Sequence, residues 1–214
     1  MKYEFTGETK VVCGVELKQI RALKDFLKVS EGDVGGWVEK EENLSQDGNS
    51  WVFGDSRVSG NACAFGDAQV FGDSCVSGNA WVFGDSWVYG DSRVFGDSRV
   101  SGNACVFGDA CVFGDSRVSG DSRVSGNACV SGDSRVYGDS WEISPLYIQG
   151  SVHALMLSSH SKISIGCECH DIEDWLANFE EIGKKNNYTP DQIKEYKAYV
   201  DLAASYAERI KEGK

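Results

Sequence analysis

The chain has 214 residues, 25 of them Gly and 2 of them Pro, with 33 acidic against 21 basic side chains and a net charge of −12. So much Gly with so little Pro excludes collagen-like sequence and argues against a Pro/Gly-rich disordered linker. The net charge repels double-stranded nucleic acid and anionic membrane as general partners, and no apolar run approaches the ~18–20 residues of a transmembrane helix.

The first 50 residues do not repeat. Tyr3–Phe5 and Lys10–Val12 flank Thr6-Gly7-Glu8-Thr9, which predicts a hairpin turning at that Gly. Val15–Leu23 alternates only roughly, and Gly32 to Val38 followed by Asn43-Leu44-Ser45 leads into what comes next. We read this stretch as an N-terminal β cap with an irregular first coil. The opening MKYEFTGETK carries no apolar signal segment, so the eight Cys are expected as reduced thiols and the protein as cytoplasmic.

From Trp51 to Trp141 the sequence repeats every six residues without insertion or deletion. The unit is Val–(Phe/Ser/Tyr)–Gly–(Asp/Asn)–(Ser/Ala)–x, and fifteen consecutive copies fit. Gly holds the third place throughout, from Gly54 to Gly138, and the fourth is Asp eleven times and Asn four. Within a unit the small residue and Val alternate with their neighbours at period two, so both point inward. The Gly-Asp or Gly-Asn pair is a turn, because these residues reach left-handed backbone angles cheaply. Short strand and corner in strict alternation predict a parallel β-helix.

These units resemble the hexapeptide-repeat family, with an aliphatic residue followed four places later by a small one, as at Val58 and Ala62 or Val76 and Ala80. The resemblance implies a left-handed parallel β-helix, a triangular prism of about five regular coils of 18 residues each. It also implies trimers formed through the prism faces. The entry segment Gly32–Ser45 is similar to that of bacterial and prophage members described as acyltransferases.

Residues flanking each Val face outward, and an 18-residue coil sorts them onto three faces. One displays Trp51, Phe53, Phe71, Trp87, Tyr89 and Phe107, a candidate face for a second copy or another partner. The alternative is that these rings simply pack along the ladder. A second face carries Phe65, Trp81 and Phe83, then Arg99, Arg117 and Arg135 beside Tyr137. Those arginines either pair with corner Asp residues or form an anion site, for instance for a nucleotide-like ligand stacked on an aromatic ring. The third face holds Arg57, Arg93, Phe95 and Phe113 with Cys75, Cys111 and Cys129, and places Cys111 beside Cys129.

After Trp141 the frame dissolves. Val152–Leu157 and Lys162–Ile165 read as strands, and two helices follow. Asp171 is placed to cap the first, whose apolar stripe is Ile172, Trp175, Leu176, Phe179 and Ile182. Thr189-Pro190 opens the second, with Ile193, Tyr196, Val200, Ala203, Ala207 and Ile210 on one side. This module, residues 142–214, resembles one that ends many phage-encoded proteins, which implies a phage or prophage origin. All three His, at 153, 160 and 170, lie here. Cys167, Cys169 and His170 are weak candidates for a metal site, with a packed strand-to-helix junction as the alternative.

The family resemblance raises acyl transfer. Yet the repeat contains no His, no protruding loop and no recurring acid–base pair, and no motif requires a cofactor. The sequence therefore reads as a non-catalytic oligomeric binding or scaffold protein engaging a host protein or an anionic ligand, with acyltransferase or virion component as alternatives.

Overall fold

A computed structural model describes residues 1–212. Strand β1 (Tyr3–Val12) pairs antiparallel with β2 (Val15–Ala22), which pairs with β3 (Val34–Val38). The expected hairpin at Gly7 is corrected: the chain turns at Cys13-Gly14, both at positive φ (51° and 80°), and residues 6–8 form an irregularity inside β1. Gly7 supplies left-handed backbone there too (φ 94°), but for a bulge rather than a reversal.

β3 already belongs to the helix of strands. Trp37 and Val38 pair in parallel with Arg57 and Val58, and Leu44 bridges to Ala64. From there the chain climbs in two- and three-residue strands, each stacked on the residue 18 places earlier, as in Val58↔Val76 and Val76↔Val94, until Ser140 and Trp141, which stack 17 places on from Arg123 and Val124. Three parallel sheets result, and the one through Val52 ends on Trp141 as its sixth strand. The architecture is a parallel β-helix.

Its interior is narrow and uniform. The repeat Val side chains and Ala64 are fully buried, and the fifth-place Ser and Ala residues beside them are buried from Ser56 to Ser134. A buried hydroxyl needs a partner. Ser74 Oγ donates to the carbonyl of Val88 at 3.3 Å, Ser92 to Val106 at 3.3 Å and Ser116 to Val130 at 3.3 Å, each across to the next coil. Serine thus ties coils together where alanine only fills space.

Both ends of the stack are covered. At the start, Lys2 Nζ donates to Ser50 O at 2.7 Å and Tyr3 Oη to Leu44 O at 3.0 Å. At the other end the buried Trp141 replaces Val in its column. Four antiparallel strands follow, Tyr147–Gln149, Ala154–Ser159, Lys162–Ile165 and Glu168–Asp171, paired in chain order. Leu155, Leu157, Ile163 and Ile165 are buried on the side packed by α1 (Ile172–Lys185) and α2 (Pro190–Glu212). Of the stripe expected on α1, Leu176 is corrected: it is 44% exposed, while Trp175 is buried and donates to Ile163 O at 2.8 Å. Asp171 is the N-cap residue of α1, but its carboxylate pairs with Lys162 at 3.1 Å rather than with the helix amides.

The corner glycines stack directly on one another. Gly96 sits at φ +76°, and an added Cβ would lie 2.9 Å from the amide nitrogen of Gly114. Gly54 has a similar φ of +57° but open space around it. Gly54→Ala therefore carries only the conformational cost, about 1–2 kcal/mol, whereas Gly96→Ala also forces two coils apart. Urea denaturation followed by circular dichroism will show a clearly lower midpoint for Gly96→Ala than for Gly54→Ala.

Candidate functional site

Stacking in register turns each outward position into a column. On the first face Phe71, Tyr89 and Phe107 form a continuous stack, with centroids 4.8 and 4.9 Å apart and planes within 3°. Trp87 meets Phe71 edge-on at 5.9 Å and is 41% exposed. Trp51, expected on this face, is corrected: it is 1% exposed beneath the N-terminal cap, edge-on to Tyr3 at 6.3 Å and to Phe26 at 5.3 Å. Its position does precede an inward Val, but the cap covers the first coil there. Phe53 packs beside it, edge-on at 6.5 Å. The aromatic surface left is thus Phe53, Phe71, Tyr89 and Phe107, all half-buried, with Trp87 exposed beside them.

On the second face Phe65 stacks on Phe83 at 4.9 Å and meets Trp81 edge-on at 5.9 Å. Arg99 lies over Trp81 at 5.5 Å. Arg99, Arg117 and Arg135 then follow one another in strict register, and all three are exposed. Beside them runs the corner column Asp97, Asp115 and Asp133, also exposed. Pairing between the two columns was one of the two readings of the arginines. Among the described residues, no carboxylate lies within ion-pair distance of any of the three. Asp97 instead accepts a hydrogen bond from Asn79 Nδ2 at 2.8 Å.

The C-terminal sheet supplies the opposite wall. Its face away from the helices presents Ala154, Met156 and Ser164 toward the arginines, enclosing a cleft of about 600 Å³ that also takes in Tyr137, His153, Cys167 and Glu168. Helix α2 fixes the turn that carries His153. Glu195 accepts from the amide and hydroxyl of Ser151 at 2.9 and 2.6 Å, and Tyr196 Oη accepts from the His153 amide at 2.6 Å. Sequence reasoning places His153 in the tail but not over the ladder. No local signal could do so, because the contacts holding it lie more than 40 residues away in the chain. Behind the sheet a separate pocket of about 70 Å³ is lined by Ile165, Trp175, Phe179 and Tyr188, whose hydroxyl pKa is pushed up to about 12, chiefly by burial.

Cys167, Cys169 and His170 do not converge. Cys169 and His170 are adjacent on one strand, so they point to opposite sides. Cys169 Sγ contacts Ser158 Oγ at 3.7 Å, while His170 Nε2 lies 2.9 Å from Glu168 Oε2. Hydrogen bonds from Asn186 and His170 hold the Glu168 carboxyl below its ordinary value. No group of three or more metal-ligating side chains is found among the described residues. Cys111 and Cys129 do pair in register, and burial raises the Cys111 thiol pKa.

Fold and cleft together define a parallel β-helix of hexapeptide-like repeats carrying one mixed-charge groove at its capped end. Comparison with known proteins agrees with the repeat. A family model described as the YdcK beta solenoid repeat matches residues 122–138. The chain is also 37% identical over 57 residues to the Uncharacterized acetyltransferase YdcK of Escherichia coli (strain K12), a match covering 27% of this chain and 17% of that protein. The match therefore spans about a sixth of that relative's length.

Like charges one rung apart, about 4.8 Å, repel by about 1 kcal/mol in water, and Arg117 has such a neighbour on each side. Replacing it with Gln, the residue at the equivalent place in Gln69, removes both repulsions. Arg117→Gln is expected to raise stability by up to about 2 kcal/mol in low salt, less whatever attraction to the neighbouring Asp column is lost with it. The gain should vanish near 1 M salt, where the screening length is ~3 Å. Paired urea titrations at the two salt concentrations will check this.

Proposed function

We propose that this chain is a non-catalytic binding protein. Its cleft takes a small phosphate- or carboxylate-bearing ligand, and its aromatic face joins it to further copies of itself, with a trimer favoured. One observation carries the reading: three arginines in register, none within ion-pair distance of a carboxylate among the described residues, facing a wall across a cleft of ligand size. Arginine's fork of donors suits phosphate and carboxylate oxygens, and Tyr137 offers a ring for an attached planar group. A nucleotide is one such ligand.

The resemblance of the C-terminal module supports a phage or prophage setting, and with it a role in the bacterial cytoplasm against a host system. A host protein on the aromatic face is the alternative to self-association, and a place in the virion is the other structural role. Light scattering separates the first two. A trimer whose mass falls to that of a monomer in Trp87→Lys supports self-association, whereas a monomeric wild type leaves the face to a foreign protein.

A second reading is acyl transfer, favoured by the name of the matched relative and by the presence of His153 in the arginine-lined cleft. Calorimetry with ADP and with acetyl-CoA distinguishes the two. Binding that weakens at least tenfold in Arg117→Glu, without acetyl-CoA turnover, supports the binding protein. Turnover lost in His153→Ala establishes the enzyme. No binding of either compound to the wild type overturns the reading built on the ladder.

A further inference from the structure

We propose that the ligand of this cleft is dipolar, carrying an ammonium group close to its phosphate or carboxylate. The proposal rests on the binding reading above and narrows it.

The reason is the charge of the lining. Arg99, Arg117 and Arg135 are accompanied by Asp97, Asp115, Asp133 and Glu168, so three cations share the cleft with four carboxylates. A ligand bringing only negative charge is drawn to one column and repelled by the other, so an ammonium group beside its anion strengthens its binding. The columns attract across the short distance between them, but no Arg–Asp pair reaches ion-pair distance among the described residues, so both stay open to a ligand. Within each column like charges stack in register, and a ligand's opposite charge in direct contact relieves that repulsion.

The two rows run side by side. Asp115 and Arg117 are two residues apart in the chain, as are Asp133 and Arg135, which limits their Cα separation to about 7 Å. A molecule spanning them therefore needs opposite charges separated by only a short spacer. Asp97 is already engaged by Asn79, which leaves Asp115 and Asp133 to receive the ammonium while the arginines take the anion. Glu168 contributes less, because its two oxygens are held by Asn186 and His170 at 3.2 and 2.9 Å. Across the cleft, Met156 and Ala154 place some apolar surface among Gln149, Ser164 and Glu168, where a short hydrocarbon spacer can lie. Small aminoalkyl phosphates and amino acids have this form.

The test is calorimetric, with phosphoethanolamine, ethyl phosphate and ethanolamine as probes on the full chain. Phosphoethanolamine is expected to bind at least tenfold more tightly than either of the others. In the Asp115→Asn/Asp133→Asn double variant its advantage over ethyl phosphate should fall below about threefold, with ethyl phosphate binding undiminished. Arg117→Gln should weaken both phosphates. These side chains are exposed, and circular dichroism will confirm that the variants fold. Equal affinity of the wild type for phosphoethanolamine and ethyl phosphate overturns the dipolar ligand but leaves the anion-binding protein intact. Ethanolamine binding as tightly as phosphoethanolamine overturns it in the other direction, as a cation site. If no probe binds, the dipolar proposal falls. If ADP and acetyl-CoA also fail, the binding reading falls with it.

Discussion

Each coil is held to the next through backbone groups, and the rest of the molecule depends on that ladder. The amide of Ser101 donates to the carbonyl of Val118 at 2.9 Å, that of Arg99 to Ser116 at 2.9 Å and that of Trp81 to Ser98 at 2.9 Å. Strands of two residues have no stability of their own, so neighbour-to-neighbour stacking supplies it. The ladder leaves no slack in register, which forces whatever stands outside each strand into columns of equivalent residues. Some columns gain from this, as where Phe71, Tyr89 and Phe107 stack face to face. Others lose, as where three arginines follow one another with no carboxylate at ion-pair distance among the described residues.

A stack of this kind has two open ends, and the chain closes them differently. At the start, a hairpin and a buried lysine fold over the first coil, and Trp51 is sacrificed to that closure rather than displayed. At the other end the four-stranded sheet and its helices extend to one side of the axis. His160 N donates to Asp139 Oδ2 at 2.7 Å and Tyr206 Oη to Ser144 O at 2.8 Å, which anchors the module against the last coil. The overhang lies across the arginine column. The cleft is thus a product of capping: the repeat supplies one wall, the closure of its end the other.

Much of this was legible in the residues because the repeat is rigid. A period of six with Gly-Asp corners determines which side chains are buried and which share a face, and Val58, Val76, Val94, Val112 and Val130 align as that period requires. The apolar stripe of α2 is buried at Tyr196, Val200, Ala203, Ala207 and Ile210, with Ile193 at its margin. What escaped the sequence was set by long-range packing. Cys13 takes a left-handed conformation that its residue type does not advertise, so the hairpin was misplaced. Leu176 fits the stripe of α1 on spacing alone, but that helix packs through Trp175 and leaves Leu176 at the surface. The cleft itself depends on contacts between segments that share no motif.

The strict spacing of the ladder also governs how such a chain can lengthen. A segment of 18 residues is one full turn of the prism, and inserting or removing it keeps every column on its own face. Six residues inserted between the arginines and the C-terminal module also preserve the corners and the buried valines, yet rotate everything downstream by a third of a turn. The C-terminal module would then overhang the aromatic or the cysteine face, and the arginines would look onto solvent. Size and site geometry are therefore coupled in this architecture. The prism tolerates growth in units of a corner, but between the first arginine and the C-terminal module only whole turns keep the groove intact.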